Sequence, residues 1–354
     1  MFKFIGLESY TMLDKKMNIL VCNAPGDFSY EEKLIPTLTK GEVLVQVKRV
    51  GICGTDLHAY KGTQPYFNYP RILGHEIAGV IKDNNGSLLC NNNDQVSILP
   101  YFNCGNCIAC KSGRENCCVH MQVFGVHIDG GMCEYIAVPE KSIVKCADLN
   151  LDALAMIEPF SIGAHGMRKA QIKKDENVLI IGAGAIGLGA MEYARINGAN
   201  VIAMEMDNTR LKFAKNNLNI QYTVNPLEEE VIEKLKLITH NEMPTVVVDA
   251  TGSQKAINSG LQYLAHGGKY ILIGLQKGEL IFSHPEFHKR ETTLMSSRNA
   301  NRLDFEWVIE QMKSGQIKPE NYISHRYPFK DLKNAFESFY HPGANSIKIM
   351  VEFD

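Results

Sequence analysis

The chain has 354 residues, with 37 Lys and Arg against 39 Asp and Glu and a formal net charge of −2. It is 45% hydrophobic and 21% charged, which suits a globular protein with room for two cores. The near balance of charge excludes the basic field of a nucleic-acid or anionic-membrane binder. The longest apolar runs, such as Val178–Ile181 and Val246–Val248, are strand-sized and too short for membrane spans.

The first 16 residues, MFKFIGLESYTMLDKK, lack the apolar stretch of a secretory signal. They read as an extension, with Met17 as a possible true start, and a cytoplasmic location is expected. Asn18–Cys22 reads as a strand, and Glu42–Val50 alternates with the period of another. Short strands and Gly/Asn turns continue to about Val144, with no long amphipathic helix. Residues Asp152–Ala170 carry helix formers, interrupted by Pro159. From Asn177 strands and helices alternate: VLIIGAG, a helix through Ala194, VIAME, helices near Arg210–Leu218 and Glu228–Thr239, then TVVVDATG and KYILIGL. That alternation predicts an α/β unit with a parallel sheet. After about Arg298 come a helix (Leu303–Lys313), a strand (Ile323–Tyr327), a helix (Phe329–Phe339) and a last strand (Ile347–Phe353). This tail is too short to fold alone and is expected to complete the first domain.

Ten cysteines are present, and five crowd one loop. Cys104, Cys107, Cys110 and Cys118 follow C-x2-C-x2-C-x7-C, a spacing that can wrap one tetrahedral zinc. A closed four-thiolate site braces structure and leaves no position for substrate. A disulfide or redox use is disfavoured by the missing signal and by thiols three and four in register. Of Cys117 and Cys118, Cys118 is the expected ligand. Cys22, Cys90, Cys133 and Cys146 read as small core or surface residues.

A sparser set lies elsewhere. Cys53 follows a strand in Gly51-Ile-Cys53-Gly-Thr55-Asp-Leu-His58; Gly74-His75-Glu76 comes later; Glu158-Pro159 lies near the domain boundary. One Cys, one His and one or two Glu suit zinc. Three such ligands leave a fourth position open, as in catalytic sites.

Gly182-Ala-Gly184-Ala-Ile186-Gly187 follows a strand and opens a helix. Gly182 allows the tight turn, Gly184 lets backbone approach a pyrophosphate, and Gly187 lets helix and strand pack closely. Glu205 ends the next strand. It is placed to accept ribose hydroxyls and to repel a 2′-phosphate, which favours NAD over NADP. Asp207 is the competing acid, beyond the strand end. Arg210, Thr251 and Gly274 fall where the cofactor would pass; sheet-edge packing accounts equally well for the last two.

Cys53-Gly-Thr-Asp, Gly74-His-Glu, the four-cysteine loop, Glu158-Pro159 and GAGAIG occur in the order seen in the zinc-containing medium-chain alcohol and polyol dehydrogenases, which this chain resembles from about Met17 to its end. The resemblance implies a β-rich GroES-like catalytic domain over residues 17–165, completed by 299–354. It also implies a doubly wound Rossmann coenzyme domain over 166–298. Two zinc ions, NAD, and oxidation of a secondary alcohol are implied with it. The catalytic zinc would be held by Cys53, His75 and Glu158, with Glu76 exchanging with or replacing a water. Thr55 would pass the hydroxyl proton outward, with His58 next in the relay; a turn hydrogen bond and a solvated histidine are the simpler roles. Segments such as TQPYFNYPRILGHE and HPEFHKRETTLMSSRNA are similar to the bacterial sugar-acid branch, the L-galactonate or L-gulonate 5-dehydrogenases and their starvation-sensing relatives. A sugar acid needs a cation, and Arg298 is the first candidate, ahead of His127 and Arg71. L-Threonine 3-dehydrogenase, a sorbitol or galactitol-phosphate type polyol dehydrogenase, and a non-catalytic zinc- and nucleotide-binding regulator are the competing readings. A homodimer or homotetramer is expected. The chain departs from the family at Asn85-Gly86 and Asn93-Asp94, where glycine is usual at the asparagine.

Overall fold

The central strand of the first unit is Glu42–Ile52, where alternating valines supply one buried face. It pairs antiparallel with Glu76–Asp83, with Tyr135–Pro139 and with the C-terminal strand Lys348–Glu352. Gln95–Ile98 and Ile143–Lys145 extend the sheet on one side, and Ile323–Pro328 lies parallel to Lys348–Glu352 on the other. The computed structural model describes residues 15–340 and 346–354. The expected extension over 1–16 therefore lies outside the described residues except for its last two. The strand expected at Asn18–Cys22 runs Lys16–Ala24 and forms a hairpin with Asp27–Leu34. Val45, Val50, Ile77, Ile81, Val96, Phe336 and Val351 are among the residues of one buried core in this unit. Each such buried side chain contributes about 1.5–3 kcal/mol.

The second unit is built on a six-stranded, all-parallel sheet. Its order is Tyr222–Val224, Asn200–Met204, Asn177–Ile181, Val246–Asp249, Lys269–Leu272, Thr293–Ser296. Numbered along the chain this is 3-2-1-4-5-6, the doubly wound dinucleotide-binding order. Val178–Ile181 and Val246–Val248 are fully or almost fully buried, as strands covered on both faces must be.

The units comprise residues 1–158 with 318–354, and residues 159–317. The division falls between Glu158 and Pro159, inside helix Leu151–Ala170. Pro159 was expected to interrupt this helix, yet the helix runs through it. Residues 153–160 are all buried, so packing outweighs the lost hydrogen bond. A second difference concerns the tail. Helix Arg302–Lys313 belongs to the second unit, not to the first. Its capping box joins Asn301 and Asp304, and Asp304 also accepts Arg168 Nε at 2.8 Å and lies 2.8 Å from His165 Nδ1. Only from Lys318 does the chain rejoin the first unit. The helix expected over Phe329–Phe339 is broken into three short helical pieces. Among the described residues no helix is long and apolar enough to cross a membrane.

Candidate active site

Cys53 is the N-cap of helix Gly54–Tyr60, entered directly from the central strand. The helix begins there because Asp56, in its first turn, accepts Cys53 N–H at 2.8 Å through Oδ2. Oδ1 of the same carboxylate accepts Gly74 N–H at 3.0 Å. One fully buried side chain thus ties the two loops that carry Cys53 and His75. Gly74 has φ +92°, and a Cβ there would lie 2.9 Å from the Val50 side chain. Only glycine meets both demands. His75 and Glu76 follow, 6% and 0% exposed.

The donor atoms of Cys53, His75 and Glu76 lie within 4.8 Å of one another. Glu158 is buried nearby but stands outside that trio; its carboxylate accepts the hydroxyl of buried Tyr101. Glu76 is held by Lys348, whose Nζ lies 2.6 and 2.7 Å from its two oxygens. His75 Nδ1 has no hydrogen-bond partner among the described residues and is 4.0 Å from Asp56 Oδ1.

Electrostatics set Glu158 apart from an ordinary carboxylate. Burial pushes Glu158 up to about 7, and the charge of Glu76 adds to the rise. Burial and then the Glu158 charge hold Tyr101 well above its ordinary value. Burial opposes a charge on His75, but Cys53, Asp56 and Glu158 outweigh it and raise its pKa well above the ordinary value. A thiol and three buried carboxylates crowd together with one buried ammonium. Such a set is expensive unless a cation joins it. A soft sulfur, an imidazole with an orphaned nitrogen and carboxylate oxygens form a donor set that fits zinc.

Thr55 is half-buried in the first turn of helix Gly54–Tyr60 and His58 is exposed one turn on. They are three residues apart and share a helix face. His58 Nδ1 lies 2.9 Å from Thr63 Oγ1.

The four sulfurs of Cys104, Cys107, Cys110 and Cys118 also lie within 4.8 Å of one another. Cys107 Sγ is 3.5 Å from Cys110 Sγ and 3.9 Å from Cys118 Sγ; sulfurs around one tetrahedral zinc stand roughly 3.8 Å apart. Backbone N–H groups of Cys110 and Val119 lower Cys107 to about 6, while burial raises Cys118 to about 11. Cys117 is exposed and outside the group. Cys22, Cys90, Cys133 and Cys146 are buried.

In the second unit, Gly182 has φ +97°. A Cβ at Gly187 would lie 1.9 Å from Gly182 O, so that glycine sets helix-to-strand contact. Gly184, the N-cap of helix Ala185–Ile196, faces open space, with Arg210 Nη1 the nearest atom at 3.9 Å from a Cβ position. Ile186 is half-buried in the first turn. An open helix N-terminus of this kind is chemically suited to a phosphate. Glu205 accepts Ala183 N–H at 2.8 Å and the Met206 and Asp207 N–H groups at 2.8 and 3.1 Å. Its carboxylate is thereby fixed beside the loop. Asp207 caps helix Asn208–Leu218, accepting Thr209 N–H at 2.7 Å. Thr251 Oγ1 binds buried Asp249, and a Cβ at Gly274 would lie 2.3 Å from Gly252 N, a packing constraint. Arg298 is exposed on this unit. In the first unit, Arg71 contacts Asp129 at 3.4 Å and His127 Nδ1 accepts Val123 N–H at 3.1 Å.

Four contributors escaped the sequence reading: Asp56, Tyr101, Asp249 and Lys348. Asp249 had a visible signal, a charge ending the run Val246–Val248. Lys348 had none, since a lysine in a terminal strand ordinarily points to solvent.

Residues 39–148 match the alcohol dehydrogenase GroES-like domain, and residues 185–314 match the zinc-binding dehydrogenase family. The chain is 43% identical over 322 residues to an L-galactonate-5-dehydrogenase of Escherichia coli K12, covering 91% of this chain and 94% of that protein. It is 30% identical over 347 residues to a sorbitol dehydrogenase of Bacillus subtilis, covering 95% and 97%. A crystal structure of the rspB alcohol dehydrogenase of Escherichia coli CFT073, complexed with NADH, superposes with a TM-score of 0.88 at 31% identity over 96% of this chain and 99% of that one. The chain belongs to the zinc-binding alcohol dehydrogenase family, with a GroES-like and a Rossmann-type fold, and is an oxidoreductase.

Proposed function

We propose that the protein is an NAD-dependent dehydrogenase of sugar acids or polyols, and that its substrate is a hexonate, L-galactonate or L-gulonate, oxidised at C5 to a keto acid. The observation that carries the reading is the buried trio of Cys53, His75 and Glu76, in a chain 43% identical to an L-galactonate-5-dehydrogenase. Zinc bound there would supply the Lewis acidity that lets a substrate hydroxyl lose its proton near neutral pH. NAD would accept the hydride from C5. Cys53, His75 and Glu76 would hold the metal, with Glu158 as the carboxylate able to join or replace a ligand. The Thr55 hydroxyl takes the proton and His58 passes it to solvent. Gly184 and the helix it caps seat the pyrophosphate, and Glu205 reads the adenosine ribose. The four-cysteine group would hold a second, structural zinc. Arg298 is the proposed partner of the substrate carboxylate, and a homodimer or homotetramer the proposed assembly.

A polyol is the second reading, favoured by the sorbitol dehydrogenase likeness. A screen following NADH absorbance with L-galactonate, L-gulonate, sorbitol, galactitol 1-phosphate and L-threonine separates the two. Turnover of a hexonate is expected to dominate. Turnover of sorbitol or threonine alone would contradict the sugar-acid assignment.

A further inference from the structure

Asp249 ends strand Val246–Asp249 of the parallel sheet and is fully buried. It stands opposite Ile181, the last residue of strand Asn177–Ile181. The strand order reverses between these two strands, and the crevice beyond such a switch point is where a dinucleotide lies. Glu205 and the glycine loop follow the strands on one side of the switch, where adenosine and pyrophosphate are proposed to sit. The nicotinamide half then falls to the strands from Val246 onward. Among the described residues the Asp249 carboxylate meets only donors: Thr251 N–H at 3.0 Å, Gly252 N–H at 3.2 Å and the Thr251 hydroxyl at 2.9 Å. Donors on both oxygens favour the anion. Burial works against it and raises the pKa above the ordinary 3.8. No Lys, Arg or His among the described residues balances the charge. A buried anion without a cation is costly. Two glycines supply a second, independent feature. A Cβ at Gly274 would stand 2.8 Å from Asp249 Oδ1, and one at Gly252, where φ is +65°, would stand 2.7 Å from Leu275 O. Backbone, not side chains, therefore covers that flank of the carboxylate.

We propose that Asp249 selects the oxidation state of the coenzyme: its carboxylate favours the cationic nicotinamide of NAD⁺ over the neutral ring of NADH. The proposal rests on the reading of this crevice as an NAD site. Hydride arrives with its electron pair and cancels the positive charge of the ring, so the two coenzymes differ by one charge there. Adenosine and pyrophosphate are common to both and cancel in the ratio of their affinities. A fixed anion in buried surroundings acts over a longer range than it would in water. It stabilises the oxidised coenzyme before transfer and releases its hold on the reduced one afterwards.

The test is equilibrium binding to full-length protein at neutral pH, with NADH followed by its fluorescence and NAD⁺ and ADP-ribose by displacement of NADH. In Asp249→Asn the preference for NAD⁺ over NADH is expected to fall about tenfold, the lower end of what one opposite charge does to a neighbouring ionic equilibrium. NADH and ADP-ribose, neither of which has a ring charge, should change by the same factor as each other. Asp249→Glu keeps the anion and should keep the wild-type ratio. Asp249→Ser, neutral and smaller, should lose the preference as Asp249→Asn does, and it carries the test if Asp249→Asn does not fold. A folded neutral variant with the wild-type ratio, even one in which both affinities fall, would overturn the proposal and leave Asp249 as a brace for its loop. Wild-type protein that binds neither coenzyme would instead overturn the NAD reading itself.

Discussion

Asp56 shows how one side chain can set the geometry of a site without being a proposed ligand. Its two oxygens accept the N–H groups of Cys53 and Gly74, one on each loop that delivers a donor. Asp56→Ala leaves two buried N–H groups unpaired and frees both loops. Metal affinity at the Cys53 site should fall by about 10- to 100-fold, measured by equilibrium dialysis with metal analysis, while the four-cysteine site keeps its ion. Cys53, His75 and Glu76 could be found in sequence because their types fit a metal. Asp56 could not, since an acid in the first turn of a helix is ordinary. The asparagines at the family's usual glycine positions are explained by conformation. Asn85 and Asn93 have φ of +45° and +70°, and asparagine is the residue other than glycine that enters this region most readily. Asn85 also donates to Thr39 O at 2.9 Å. Both asparagines therefore take the positive φ that a glycine would adopt without strain.

At the scale of elements, periodicity located the strands and helices but not what each packs against. The run Leu303–Lys313 was legible as a helix, yet its assignment to the second unit depends on Asp304 meeting His165 and Arg168, more than a hundred residues earlier. Sequence cannot display such a pairing. Likewise Pro159 signals a break that burial overrides. Asp304 also gives helix Arg302–Lys313 a pH dependence. Burial alone would raise its pKa, but hydrogen bonds from His165 and Arg168 more than offset this and hold it below the ordinary 3.8. A carboxylate with a lowered pKa contributes its stability above the unfolded value and loses it as pH falls through the folded one. Asp304→Asn should therefore cost about 2 kcal/mol at neutral pH, a buried-pair loss reduced because Arg168 is partly exposed. The two proteins should converge once the pH has fallen through the lowered value of the Asp304 carboxyl, below the ordinary 3.8. Chemical unfolding across a pH series measures both values, and a constant difference down to that pH would exclude the pairing as its source.

For the whole molecule, two separate groups of candidate metal ligands were legible, one from cysteine spacing and one from the sparser Cys53, His75 and Glu158. What spacing could not reveal was which carboxylate stands with Cys53 and His75. The structure puts Glu76 there and sets Glu158 against Tyr101, because strand register, not sequence order, brings Glu76 opposite Gly51. The two-unit organisation followed from the switch to strand–helix alternation near Asn177, while one boundary lies inside helix Leu151–Ala170, where composition does not change, and the other in the loop after helix Arg302–Lys313. The central claim is that a metal held by Cys53 is required for NAD-linked oxidation of a hexonate. The most direct test is NADH formation from L-galactonate and L-gulonate by wild type and by Cys53→Ser, with unchanged circular dichroism and an intact four-cysteine metal. The account predicts turnover by wild type and loss of at least about a thousandfold in the variant, in line with removing Lewis-acid stabilisation worth several kcal/mol. A Cys53→Ser protein that oxidises either hexonate at the wild-type rate would contradict it.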